Sequence, residues 1–303
     1  MKRRRAVAAP ATNAAHTKCS KPYQKLEFVA FCTARQEVLL NRQKGLPRAE
    51  WTNDHILAGA KFCNIDRRDD AVTAELLAAI VAHAHWGLRE KVLLATALRF
   101  SGSRRGEATS LAALVEGGRK PDQAKTPVQL AFETAQVRCG TGTYQLSLNR
   151  KQVSTVLEAT ADAVVARVTS EGSFADVLEA SDFVADCMTV GKRPQFSANE
   201  TAKHFAYVDG LMRPASHHRC RLGPGAKKGL QLVRTKEGKG LGIAGRGDEA
   251  AVATVRAALR AIPSLCWVET IDVEQALCEY SKYEAYRVGG ISTNKKFTPL
   301  VAA

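Results

Sequence analysis

Twelve residues, Asp272-Val273-Glu274-Gln275-Ala276-Leu277-Cys278-Glu279-Tyr280-Ser281-Lys282-Tyr283, gather three acids, one lysine and two tyrosines. A carboxylate in such a run can take a proton from a nucleophile, and a neighbouring ammonium can orient it or hold an anion. In a helix, Asp272, Glu279, Lys282 and Tyr283 fall near one stripe. Val273, Ala276, Leu277 and Tyr280 form the adjoining apolar stripe at i, i+3, i+4 and i+7. A solvated helix face carrying a Glu279–Lys282 pair accounts for the same pattern, so this segment alone leaves chemistry and plain structure both open.

Two other segments carry groups suited to anions. The first runs from Trp51-Thr52-Asn53-Asp54-His55-Ile56-Leu57 to Lys61-Phe62-Cys63-Asn64-Ile65-Asp66-Arg67-Arg68-Asp69-Asp70. Thr52 or Asn53 can cap a helix with Asp54 in its first turn. Arg67 and Arg68, flanked by acids, can present fixed guanidinium forks to phosphate or carboxylate; an ion-pair network around a helix end is the structural alternative. The second is Leu222-Gly223-Pro224-Gly225-Ala226-Lys227-Lys228-Gly229-Leu230. Its turn and lysines can cradle an anion if a helix starts there, or simply form an exposed turn.

Taken in order, these segments resemble the alpha-glutamyl/putrescinyl thymine pyrophosphorylases, whose helical domain also accompanies phage 5-hydroxymethyluracil DNA kinases. The resemblance rests on six blocks across roughly residues 25 to 290: Phe31 with Arg35, Gly45-Leu46-Pro47, Trp51 to Leu57, Phe62 to Arg67, Gly223 to Leu230, and Asp272 to Tyr283. Two departures stand out. Ala180-Ser181-Asp182-Phe183-Val184-Ala185 occupies the region where the family tends to have Gly-Pro-Phe-x-Ala, and Lys228 stands where arginine is commoner.

The resemblance implies a DNA-modifying transferase that displaces the pyrophosphate of a pyrophosphorylated 5-hydroxymethyluracil with an amine, putrescine or an amino acid, to give a hypermodified thymine. Its partners would be double-stranded DNA carrying the modified uracil, a small amine, and an upstream DNA kinase that makes the substrate. Base flipping would bring the C5 substituent to the pocket. Asp272, Glu274, Glu279 and Lys282 are the expected catalytic residues, with Glu274 or Glu279 as the base. Arg67, Arg68, Gly223, Gly225, Lys227 and Lys228 would hold phosphate or DNA. Asn64, Tyr283 and Arg35 would recognise base or amine. No cofactor is required on this reading, although magnesium can assist a pyrophosphate leaving group, and no metal ligands are assigned. A non-catalytic or glycosylase-like DNA-binding protein is the alternative. A transferase acting on monomeric nucleotides is a further one, which the charge argues mildly against.

The elements that must position these groups read as helices. Expected helices are Glu27 to Asn41, 53–61, 71–85, 87–100, Glu107 to Val115, Gln152 to Val168, Phe174 to Met188, Glu200 to Leu211 and Glu249 to Ala261. Leu130 to Tyr144 is ambiguous between helix and strand. Leu230 to Val233 is a short strand candidate, and Lys236 to Gly247 reads as a Gly-rich loop. The expected fold is mostly α, one multi-helix domain over residues 23–303, with a helix-hairpin-helix DNA-glycosylase-like arrangement left open. Gly240-Leu241-Gly242-Ile243-Ala244-Gly245 fits a dinucleotide fingerprint, but no repeating β/α pattern accompanies it. No G-x-x-x-x-G-K-[ST] occurs, so the chain is not itself a P-loop kinase.

Composition points the same way. The chain has 303 residues, 44 Lys+Arg against 30 Asp+Glu, and a formal net charge of +14. Such an excess favours a polyanionic partner. Aromatic content of 6% disfavours a single-strand stacking platform. Residues 1–22, with Lys2 to Arg5 basic and no acid before Glu27, are expected to be a disordered basic arm. Neither a signal peptide nor a membrane span is expected, and a cytoplasmic location follows, the host cytoplasm for a phage gene. The eight cysteines lack C-x-x-C spacing, which suits a reduced compartment. His83-x-His85 and His217-His218-Arg219-Cys220 lack zinc-finger spacing.

Overall fold

The computed structural model describes residues 26–101, 107–118, 122–134, 136–137, 149–188, 194–213 and 219–289. Among them are twelve α-helices: α1 (Glu27–Gln43), α2 (His55–Gly59), α3 (Ala71–Ala82), α4 (Leu88–Ser101), α5 (Glu107–Glu116), α6 (Pro127–Glu133), α7 (Arg150–Glu171), α8 (Val177–Cys187), α9 (Pro194–Phe205), α10 (Pro224–Leu241), α11 (Asp248–Arg260) and α12 (Thr270–Gly289). The described residues contain no strand, only an isolated bridge between Phe174 and Met212. The mostly α expectation therefore holds. The basic arm and His217-His218 lie outside the described residues.

Two apolar cores divide the helices. One is built by α3 to α9, around α4, whose residues Val92 to Leu98 are all buried. A helix buried on every side needs no amphipathic stripe. The other joins the two ends of the sequence: α1 and α2 pack with α10, α11 and α12. Phe28, Phe31 and Cys32 of α1 meet Tyr280 and Leu277 of α12 in it. Phe28 lies edge-on to Tyr280, ring centres 5.2 Å apart, and Phe31 is 5.4 Å from the same ring. The first and last of the six sequence blocks thus share one core.

Four expectations need correction. Lys236 to Gly247 is not wholly loop, and Leu230 to Val233 is not a strand: both fall in or at the end of α10. The helix runs to Leu241 and stops at Gly242, whose left-handed φ of 67° a glycine tolerates at no steric cost. Glu237, read as loop, is buried and accepts the Phe28 N–H at 2.9 Å, so it caps the start of α1. The helix placed at Glu200 to Leu211 is α9, starting six residues earlier at Pro194. The cap of α2 is Asp54, whose side chain accepts the Ile56 and Leu57 N–H groups, not Thr52 or Asn53. Ala180 to Ala185 is interior to α8, within the helix expected at Phe174 to Met188. The ambiguous stretch opens with α6, set by a Thr126–Gln129 capping box.

Candidate active site along helix α12

Helix α12 faces the seam between the two cores and carries most of the polar groups found there. In its first turn, Asp272 reaches back to accept the Glu269 N–H at 2.9 Å and accepts the Arg67 N–H at 3.1 Å. Burial pushes its carboxyl up to about 7, against the pull of those two N–H donors. One turn on, Gln275 accepts from the Arg67 guanidinium at 2.7 Å and donates to the Asn64 carbonyl and to Asp70, each at 2.7 Å. Asp70 in turn accepts the Asn64 N–H at 3.1 Å. The Phe62–Asp70 block is therefore stitched to α12 through both backbone and side chains.

The other side of the seam comes from α9 and α4. Arg67 donates to Glu200 at 2.9 Å, and Arg99 of α4 stands 3.4 Å from the same oxygen. Lys203 bridges Glu200 at 2.6 Å and Glu274 at 2.7 Å. The other oxygen of Glu274 accepts the Gly223 N–H, 3.1 Å away, at the start of α10. One chain of polar contacts, ionic except at Gly223, thus runs from α10 through α12 and α9 to the Arg67 turn. Arg67, Glu200, Lys203 and Glu274 are buried, with Lys203 at 0% exposure. Burial alone would depress the Lys203 ammonium, but Glu200 and Glu274 outweigh it and raise its pKa. Burial would raise Glu200, yet Lys203, Arg67 and Arg99 pull it well below the carboxylate range. His204, beside these cations, is held down to about 3 chiefly by burial and so is neutral.

Two turns further along α12 lies a second cluster. Glu279 accepts the Cys63 N–H at 2.9 Å and the Lys282 ammonium at 2.8 Å, both on Oε2. Lys282 also lies 4.8 Å from the centre of the Phe62 ring. Arg35, 5% exposed, donates to the carbonyls of Cys63 and Phe62 at 3.0 Å and to the Asn64 side chain at 3.1 Å. The Asn64 amide also donates to the Asp69 carbonyl at 2.9 Å, so both of its ends are engaged. Tyr283 donates to Asp54 at 2.7 Å, while Asp54 caps α2 through the Ile56 and Leu57 N–H groups. Burial pushes the Cys63 thiol far up, which leaves it a poor nucleophile.

The Gly223–Gly229 segment is where α10 meets α12. A Cβ at Gly229 would stand 1.9 Å from the Leu277 carbonyl oxygen, and one at Gly225 would stand 2.5 Å from the Cys278 sulfur. These glycines let the helices touch. Lys227 and Lys228 are exposed in the first turns of α10. Lys227 borders a cleft of about 200 Å³ with Cys220, Arg221, Glu249 and Thr270. Arg68 is exposed, its fork held by Asp66 at 2.8 to 3.1 Å.

Residues 24–99 match the family model described as "5-hmdU DNA kinase, helical domain". That span, about a quarter of the chain, includes Arg35, Asn64, Arg67 and Arg68. None of the curated proteins and none of the solved structures compared with the chain matches it. No helix among the described residues is long and apolar enough to cross a membrane.

The structure brings Arg35, Asn64, Arg67, Asp272, Glu274, Glu279 and Lys282 into one network. It separates them by setting: Arg67 and Glu274 lie in the buried ionic seam, whereas Arg68, Lys227 and Lys228 are exposed. Sequence reading did not single out Glu200, Lys203, Arg99 or Gln275. The one available signal was Asn199-Glu200-Thr201-Ala202-Lys203-His204, an i,i+3 charge pair in a helix otherwise poor in charge.

Proposed function

We propose that the protein acts in thymine hypermodification of DNA, as a transferase that exchanges the pyrophosphate on a C5 methylene of uracil for an amine. The observation that carries this reading is the meeting of two segments. The stretch matching the 5-hmdU DNA kinase helical domain closes, through Asn64 and Arg67, onto the acid-rich helix α12. In the step, the C–O bond to pyrophosphate breaks and a C–N bond to the amine forms. The amine's proton passes to a carboxylate, and pyrophosphate leaves. Glu279 suits that role better than Glu274. Both oxygens of Glu274 are committed to Lys203 and Gly223, while the two bonds to Glu279 fall on one oxygen. Lys282 and the Cys63 N–H hold the Glu279 carboxylate in place. The exposed cations Arg68, Lys227 and Lys228 suit the phosphates; Arg67 acts behind them as the brace of its turn.

The test is mass spectrometry of nucleosides after incubating the protein with DNA bearing pyrophosphorylated 5-hydroxymethyluracil and a panel of amines, with and without magnesium. An aminated thymidine in the complete mixture, absent without protein, supports the reading. No new nucleoside with any amine would sink it. A second reading, a helical DNA-binding module that serves a separate kinase, is favoured by the name of the matched family model. It predicts binding to the modified DNA without any product.

A further inference from the structure

Outside the candidate site, the ends of two helices bring together groups that the sequence keeps apart. His83 follows the last residue of α3 and Glu116 is the last residue of α5; His85 lies two residues beyond His83. One ligand atom from each of the three lies within 4.8 Å of the others. His83 Nδ1 is 2.7 Å from Glu116 Oε1, and His85 Nε2 is 3.6 Å from the same oxygen. We propose that His83, His85 and Glu116 form a binding site for a divalent transition metal of the zinc type.

Three features support it. Two imidazoles and a carboxylate are a ligand set suited to zinc, nickel or cobalt, and they leave a fourth position for water. Tetrahedral zinc with bonds near 2.1 Å sets its ligand atoms about 3.4 Å apart. The two distances to Glu116 Oε1, 2.7 and 3.6 Å, bracket that value and need to change by about 0.7 and about 0.2 Å, and the two histidine nitrogens lie within 4.8 Å of each other. The His83 ring is also fixed in advance, stacked on the buried Trp86 with ring centres 4.3 Å apart. Finally, α3 and α5 both end at this point, and the partial negative charge of two helix C-termini favours a cation. Bound metal would fasten the α3–α4 turn to the end of α5.

The experiment uses the full chain stripped with chelator. Zinc titration by calorimetry is run on the wild type and on His83→Asn, His85→Asn and Glu116→Gln, singly and combined. One equivalent should bind the wild type, each single change should weaken it at least about tenfold, and the triple variant should lose it. Zinc should raise the melting temperature of the wild type but not of His85→Asn, whose exposed side chain is not needed for folding. Cobalt should give no thiolate charge-transfer band. Undiminished binding to the triple variant, a thiolate band, or no binding by the wild type up to millimolar zinc would each overturn the site.

Discussion

Glu274 and Glu279 lie on the same helix, yet replacing each with glutamine should do different things. At Glu279, the change removes a base while keeping volume and most hydrogen bonds. Turnover on pyrophosphorylated DNA should fall by about 10²–10⁴-fold with the melting temperature nearly unchanged, and higher pH should restore part of it by deprotonating the amine. At Glu274, the change leaves buried Lys203 with one carboxylate instead of two. Breaking such a buried pair costs on the order of 3–5 kcal/mol, so this variant should melt early. If Glu279→Gln instead melts early and keeps full activity per folded molecule, its carboxylate is structural. Asp272 gives a pH test. Its folded pKa, about 7, stands above its ordinary value of 3.8. The folded chain therefore binds more protons than the unfolded one between those values, and this group's contribution to stability falls as pH rises from about 4 to 7. Asp272→Asn should flatten that part of a pH–stability curve measured by urea unfolding; an unchanged slope would mean the carboxyl is not raised.

Among the helices, the contact of α10 with α12 makes the sharpest prediction. A methyl group at Gly229 would collide with backbone, which cannot swing away, whereas at Gly225 it would meet the far end of the Cys278 side chain. Gly229→Ala should therefore lower the melting temperature much more than Gly225→Ala, overpacking costing about 1–3 kcal/mol or more. Adding Cys278→Ala should rescue Gly225→Ala and leave Gly229→Ala unrescued. Equal effects at the two glycines would contradict the packing described. The same helix shows why sequence reading partly failed. α1 and α7 were legible because their apolar residues recur with helical period; α12 was read as a helix only conditionally, and its apolar stripe Val273, Ala276, Leu277 and Tyr280 is indeed buried. α10 was read as strand and loop because glycine disfavours helix by about 1 kcal/mol each. Here that local cost is outweighed by the close approach its glycines allow. In the candidate site, the residues of α12 and the Phe62–Asp70 block stood out by their density of charge. Glu200 and Lys203 did not, since their meaning depends on Glu274, brought near only by the fold.

For the molecule as a whole, the net charge of +14 predicts salt-sensitive binding to DNA. Deleting residues 1–22 should weaken that binding and reduce the log–log salt slope by about 0.9 for each duplex phosphate the arm had neutralised. An unchanged slope, measured by anisotropy across a salt series, would show that the arm does not touch the duplex. The two cores have a consequence for how the protein is made. Glu27 and Tyr280 are neighbours across 253 residues of sequence. On a ribosome adding about 5–20 residues per second, α1 waits on the order of tens of seconds before α12 emerges to cover it. Through that interval Phe28 and Phe31 lack the Tyr280 ring that packs on both, while α3 to α9 can already close most of their own core. Helix α1 thus depends on partners made late, and a ribosome stalled before α12 should release a chain with a folded middle and an incompletely covered α1.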